Sequence, residues 1–238
     1  MKIGLIGAGR LGICLALLIE QEGYHVIASD VREDYVKDLQ NKKINSTEPQ
    51  VQELLEHSIN LEFTTDNRKV IRESDVIFTL VQTPSLEDGS YDVSAVWKVV
   101  EDIKQEMSSI ANYPKSFVVG CTTNPGDCDQ FKDALPESVD VYYNPEFIAQ
   151  GSIVDDLRHA DMVLLGGEGE HSGVLEMIYY QIQNGFKTAN VSTMSAKAAE
   201  LTKIAINCYL TTKITYANQV GQVMIRDCLL YTSPSPRD

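Results

Sequence analysis

The feature that most constrains this chain is Gly7-Ala8-Gly9-Arg10-Leu11-Gly12, set between an apolar run and a helical pattern. Lys2 to Ile6 reads as a buried strand and Leu11 to Gln21 as a helix. GxGxxG alone is a weak signal. In a strand–turn–helix context, with an acid closing the next strand, it reads as a dinucleotide fingerprint. That acid is Asp30, at the end of a strand expected over Tyr24 to Asp30. Gly7 permits the tight turn, Gly9 lets backbone approach a pyrophosphate, and Gly12 permits close helix–strand packing. The helix start supplies N–H groups and partial positive charge. Asp30 accepts from ribose hydroxyls and repels a 2′-phosphate, which favours NAD over NADP. Arg32 stands against that preference, because a nearby arginine can accommodate the extra phosphate.

The rest of the chain repeats the alternation. Helices are expected over Arg32 to Asn41 and Val93 to Ile110. Strands are expected over Leu61 to Thr65, Asp75 to Val81, Ser116 to Cys121 and Val139 to Tyr143, with edge strands over Met162 to Gly166 and Ala189 to Val191. Strands alternating with helices imply an α/β fold, a Rossmann-type doubly wound parallel sheet in the order 3-2-1-4-5-6. A long central helix is expected over Thr193 to about Arg226. It is apolar on nearly every side, so it should be buried, by a further domain or a partner subunit. The final residues, Cys228 to Asp238, carry two prolines, follow no period and read as a non-native tail.

Composition narrows the function classes. Asp plus Glu is 34 against 20 Lys plus Arg, a formal net charge of -14. Such a balance argues against nucleic acid as a partner, because that binding depends on neutralising phosphates. No apolar run approaches the length of a membrane span. The five cysteines fit neither a disulfide framework nor a zinc site. They imply a reducing, cytoplasmic compartment, with most thiols acting as small core residues and no metal.

Further segments carry a resemblance. They are Glu48-Pro49, Val81-Gln82-Thr83-Pro84, Cys121-Thr122-Thr123-Asn124-Pro125-Gly126, and Tyr143-Asn144-Pro145-Glu146-Phe147 running on to Ser152. They continue through Asp155-Asp156-Leu157 and Asp161 to Gly166, ending with Ala199 to Asn207. With the glycine loop, in this order from Met1 to about Arg226, the chain resembles the UDP-glucose/GDP-mannose dehydrogenase family.

The resemblance implies a nucleotide-sugar 6-dehydrogenase of polysaccharide biosynthesis. Such an enzyme oxidises the sugar's primary alcohol to the uronic acid with two NAD, through a thiohemiacetal and a thioester. The implied organisation is an NAD-binding Rossmann domain over 1–190, the start of a central dimerisation domain over 192–226 and the tail over 227–238. The catalytic-cysteine domain would follow, so the chain reads as a truncated fragment, inactive alone and homodimeric at full length. No cysteine here matches the nucleophile, and Cys208 is expected to pack.

By the same resemblance, Gly7, Gly9, Arg10, Leu11, Gly12, Asp30, Thr83, Pro84 and Thr122 bind the cofactor. The catalytic set is Thr122, which holds a water; Glu146, which moves a proton; and Lys203 with Asn207, which stabilise and orient the sugar oxygen. Two departures stand out. Gln150 replaces a second glutamate found in many members, and Asn124 replaces a proline, which is expected to change only the loop. The competing readings are a β-hydroxyacid dehydrogenase of the 6-phosphogluconate dehydrogenase type and a non-catalytic NAD-binding module.

Overall fold

The computed structural model describes residues 1–108, 114–148, 151–183 and 191–227. The elements run β1 (Lys2–Ile6), α1 (Arg10–Gln21), β2 (His25–Ser29), α2 (Glu33–Gln40), α3 (Val51–His57), β3 (Leu61–Thr64), α4 (Asn67–Glu73), β4 (Val76–Thr79) and α5 (Ser94–Met107). They continue with β5 (Lys115–Val119), α6 (Asp127–Ala134), β6 (Val139–Tyr143), α7 (Ile153–Arg158), β7 (Val163–Gly166), α8 (Ser172–Ile182), β8 (Val191–Met194) and α9 (Ala196–Arg226). The chain divides into two compact units, 1–200 and 201–238.

The strands of the first unit form one sheet in the order β3-β2-β1-β4-β5-β6-β7-β8. The first six follow the expected doubly wound order. All pairings are parallel except β6 with β7, which meet antiparallel at Tyr143 and Gly166. Side chains alternate along each strand, so each feeds two cores. Ile3, Leu5, Val26, Ala28, Val76 and Phe78 join one core, with the Ile13–Ile19 run of α1 and with α8. Ile6, Ile27, Ile77, Phe117 and Val119 join the other, under α4, α5 and α6. Fully burying a Leu, Ile or Phe contributes about 1.5–3 kcal/mol. Two filled faces therefore account for the near-continuous apolar strands.

Several elements depart from the expectations. Strand β8 begins at Val191, so Thr193 and Met194 belong to the sheet and the long helix starts at Ala196. Residues 189–190 and the tail from Cys228 lie outside the described residues, as do Gln150 and Ile110. Helices α3, α4, α6, α7 and α8 were not anticipated. Four have eight residues or fewer, too short for a 3.6-residue apolar period to declare itself.

In the second unit, Tyr209, Leu210, Ile214, Tyr216, Val223 and Ile225 are exposed, and so is Cys208. The cover expected for this apolar surface is a further domain or a partner subunit, and within the chain itself Cys208, expected to pack, is exposed. Among its described residues the second unit is essentially one helix, and one helix has no second layer against which to bury a face.

Candidate active site

The strand order reverses between β1 and β4, and the crevice of an open α/β sheet lies at the carboxyl ends of the strands beside such a point. The loops after β1, β4, β5 and β6 all leave from that edge, because these four neighbours are mutually parallel. They carry the glycine loop, Thr83–Pro84, Thr122 and Glu146 respectively. At about 4.8 Å per strand, the outer two of these loops stand about 14 Å apart.

Gly7 adopts φ +100, and a Cβ there would lie 2.5 Å from the Leu80 carbonyl oxygen. The first loop thus rests directly on the chain leaving β4, which excludes any other residue. A Cβ on Gly12 would strike the Gly7 carbonyl at 2.0 Å, so the helix can start this close to the strand only with glycine. At Gly9 nothing lies within 4 Å of the point where a Cβ would stand. Gly9 caps α1 with no side-chain acceptor, and the first turn holds no acidic residue. Open space before an uncapped helix start fits a pyrophosphate. Arg10 is exposed and Leu11 half-buried at the same turn.

Asp30 directly follows β2 and is 8% exposed. Its Oδ1 accepts from the Arg32 backbone N–H at 3.0 Å and from Nε at 2.8 Å, and its Oδ2 accepts from Nη2 at 2.8 Å. The Arg32 guanidinium also lies 4.1 Å from the Tyr35 ring centre. Burial pushes the Asp30 carboxyl up, but Arg32's hydrogen bonds and charge outweigh it and hold the group below the usual carboxylate range. Arg32 therefore serves Asp30 in this structure. Of the three bonds to Arg32, Oδ1 accepts two and Oδ2 one, so Oδ2 is the oxygen with more of its capacity left for a ribose hydroxyl.

Thr122 is half-buried in the loop after β5. Asn124 fixes that loop. Its Oδ1 accepts from the Tyr91 N–H at 2.8 Å, while its Nδ2 donates to the Tyr91 carbonyl at 3.0 Å and to Asp127 Oδ2 at 2.9 Å. Tyr91 belongs to the excursion that follows Thr83–Pro84, so Asn124 ties the second and third loops together. The departure from proline does more than reshape a loop, since proline could make none of these bonds.

After β6, Asn144 is buried, and its Nδ2 donates to the Leu164 carbonyl at 3.0 Å. The Tyr179 hydroxyl, on α8, lies 2.5 Å from Asn144 Oδ1 and 2.7 Å from Glu146 Oε1. Burial, then the charge of Glu146, drive the Tyr179 phenol well above its ordinary value. Glu146 is therefore held from behind by a phenol locked in the core. Sequence reasoning missed Tyr179; the SGVLEMIYYQI stretch carries no motif, and only the fold brings it to Glu146.

Lys203 and Asn207 sit four residues apart on α9, in the second unit. Lys203 is buried and Asn207 half-buried. Burial disfavours the thiolate at the three buried cysteines. Desolvation pushes Cys14 and Cys121 up to about 12 and raises Cys128 further, with the charge of Glu200 adding to that last shift. Among the described residues no group of His, Cys, Asp and Glu could hold a metal, and no helix is long and apolar enough to cross a membrane.

The sequence profile of the UDP-glucose/GDP-mannose dehydrogenase family, NAD binding domain, matches residues 1–183. UDP-glucose 6-dehydrogenase of Drosophila melanogaster is 28% identical over 236 residues, covering 94% of this chain and 50% of that protein. A ternary complex of GDP-mannose dehydrogenase from Pseudomonas aeruginosa superposes with TM-score 0.83 at 26% identity, covering 93% of this chain and 52% of that one. A UDP-glucose dehydrogenase from Pyrobaculum islandicum gives TM-score 0.83 at 26% identity, covering 92% and 52%. The chain spans about half the length of these relatives.

Proposed function

The chain belongs to the UDP-glucose/GDP-mannose dehydrogenase family and contains its NAD-binding domain; from that premise we propose that it serves the NAD-dependent oxidation of a nucleotide-sugar primary alcohol to the uronic acid. The observation that carries the reading is the convergence of four loops on one sheet edge. There a glycine turn fit for a pyrophosphate, the Thr83–Pro84 wall, Thr122 and a braced Glu146 follow one another across adjacent strands. NAD, when bound, supplies the hydride acceptor.

Each residue has its part in this reading. Gly7, Gly9, Arg10, Leu11 and Gly12 seat the pyrophosphate, and Asp30 takes a ribose hydroxyl. Thr83 and Pro84 wall the nicotinamide end. Thr122 orients a water, and Glu146 holds or moves a proton, its carboxyl aimed by Tyr179. Lys203 stabilises negative charge developing on the sugar oxygen, and Asn207 orients that oxygen; their i, i+4 spacing puts them on one helix face. The NAD domain extends through β8, past the residue 190 expected from the sequence, and α9 begins a dimerisation helix whose exposed apolar residues meet a second copy in the full-length protein. By the family resemblance the nucleophile is a cysteine whose motif none of Cys14, Cys121, Cys128, Cys208 and Cys228 matches.

The test is calorimetric titration of UDP-glucose and of GDP-mannose into the NAD-loaded chain. Binding of one with NAD retained supports adjoining sites. Silence from both supports a non-catalytic NAD-binding module instead. In the protein joined to a domain bearing the family's cysteine, Lys203→Ala lowers turnover by roughly 10²–10³, the usual effect of losing one oxyanion stabiliser. An unchanged rate removes Lys203 from the mechanism.

A further inference from the structure

We propose that Glu200, at the start of α9, is a positioning residue that sets the conformation of the Thr122 loop and so governs how the site receives the nicotinamide end of the cofactor. Glu200 is fully buried. Its Oε1 accepts from the Thr123 hydroxyl at 2.9 Å and from the Cys128 N–H at 2.9 Å, and its Oε2 accepts from the Gly126 N–H at 2.6 Å. Thr123 and Gly126 belong to the turn that leads from Thr122 into α6, and Cys128 to the first turn of that helix.

Ordinarily a helix start is satisfied by a Ser, Thr, Asp or Asn side chain at its own cap. Here the cap is Gly126, at φ +98, with no side chain to offer. Asp127, the nearest local carboxylate, is spent on the Asn124 N–H and amide. The acceptor is instead supplied from a residue more than seventy positions later, on a different element. A carboxylate is a favourable acceptor at a helix N-terminus, because the helix dipole presents partial positive charge there.

The result is a loop fixed from two sides. Asn124 anchors it to Tyr91, and Glu200 anchors it to α9. Thr122 lies immediately before both anchors. A cap serving stability alone would stabilise α6 and leave ligand discrimination untouched. An anchor that positions Thr122 must change how the nicotinamide is received relative to the rest of the dinucleotide. The inference rests on the reading that the Thr122 loop faces the nicotinamide.

Amide NMR and calorimetry with NAD and with ADP-ribose, the same ligand lacking nicotinamide, separate the two. In the unmutated chain NAD and ADP-ribose should perturb the Gly7–Gly12 amides alike and differ at Thr122–Asn124. No difference at Thr122–Asn124 overturns the functional reading, and the inference with it. Glu200→Gln sets an amide N–H₂ against at least one of the N–H donors. It should shift the NAD to ADP-ribose affinity ratio about three- to tenfold and collapse the difference at Thr122–Asn124, leaving ADP-ribose binding at the glycine loop in place. Thr123→Val removes one of the three bonds and should shift the ratio in the same direction by less. It decides the matter if Glu200→Gln fails to fold. An unchanged ratio in the folded variants overturns the role of Glu200 and leaves the functional reading standing.

Discussion

Replacing Asp30 with alanine separates the two jobs its carboxylate performs. One is structural: it grips Arg32 through two side-chain bonds at 2.8 Å and one backbone bond at 3.0 Å. The Arg32 side chain is 57% exposed, so solvent screens the pair and its loss costs about 0.5–1 kcal/mol of stability. The other job is recognition. In the proposed reading Oδ2 accepts one ribose hydroxyl, and a hydrogen bond to a charged acceptor contributes about 1.5–3 kcal/mol. NAD affinity should therefore fall about 10- to 150-fold while the melting temperature falls by only a few degrees. NADP should lose much less, or gain, because removing the anion and freeing Arg32 favours a 2′-phosphate. Parallel calorimetric titrations of both cofactors into both chains make the comparison. Equal losses for NAD and NADP, or a preference-free unmutated chain, would refute the assignment of Asp30. The folded carboxyl is held below its unfolded value, so its contribution to stability is complete above the unfolded pKa and fades as pH falls through the folded one.

Three further outcomes follow from local geometry. Tyr179→Phe strips a donor from Asn144 Oδ1 and Glu146 Oε1 in the core and should cost about 1–3 kcal/mol in urea unfolding, with NAD affinity held within a few-fold. Asn124→Pro cuts the bonds to Tyr91 and Asp127, and hydrogen exchange at the Tyr91 amide should accelerate at least tenfold while Gly7 is unaffected. With Ellman's reagent at pH 8, Cys208 should be modified in the native chain, while Cys14, Cys121 and Cys128 are labelled only on unfolding; peptide mapping distinguishes them.

The sheet and its order were legible because β1, β2, β4, β5 and β6 are short apolar runs bounded by turn residues, and buried parallel strands have to be. The glycine loop was legible because backbone sterics tie the turn to glycine, which leaves a trace in the sequence itself. What stayed hidden was long-range. Tyr179 is thirty-three residues from Glu146, and Glu200 is further still from the loop that it anchors. Neither carries a local pattern, because their partners are chosen by packing of α8 and α9 rather than by spacing. The short helices were missed for a different reason. Helix α4 owes its start to Asp66 accepting from the Arg68 N–H at 2.9 Å, a cap signal that was present, while α6 and α7 owe theirs to carboxylates elsewhere, Glu200 for one and Glu48 for the other. The apolar character of α9 was read correctly from the sequence, but exposure is a property of what lies beside a helix, which no periodicity reports.

A crystal structure of the chain with NAD tests most directly whether the four loops at the carboxyl edge form one dinucleotide site. It should show the pyrophosphate over Gly7–Gly12, the adenosine ribose on Asp30, and the nicotinamide between Thr83–Pro84 and Thr122 on the side of Glu146. A dinucleotide lying in the reverse sense, or bound away from the glycine loop, would contradict that arrangement.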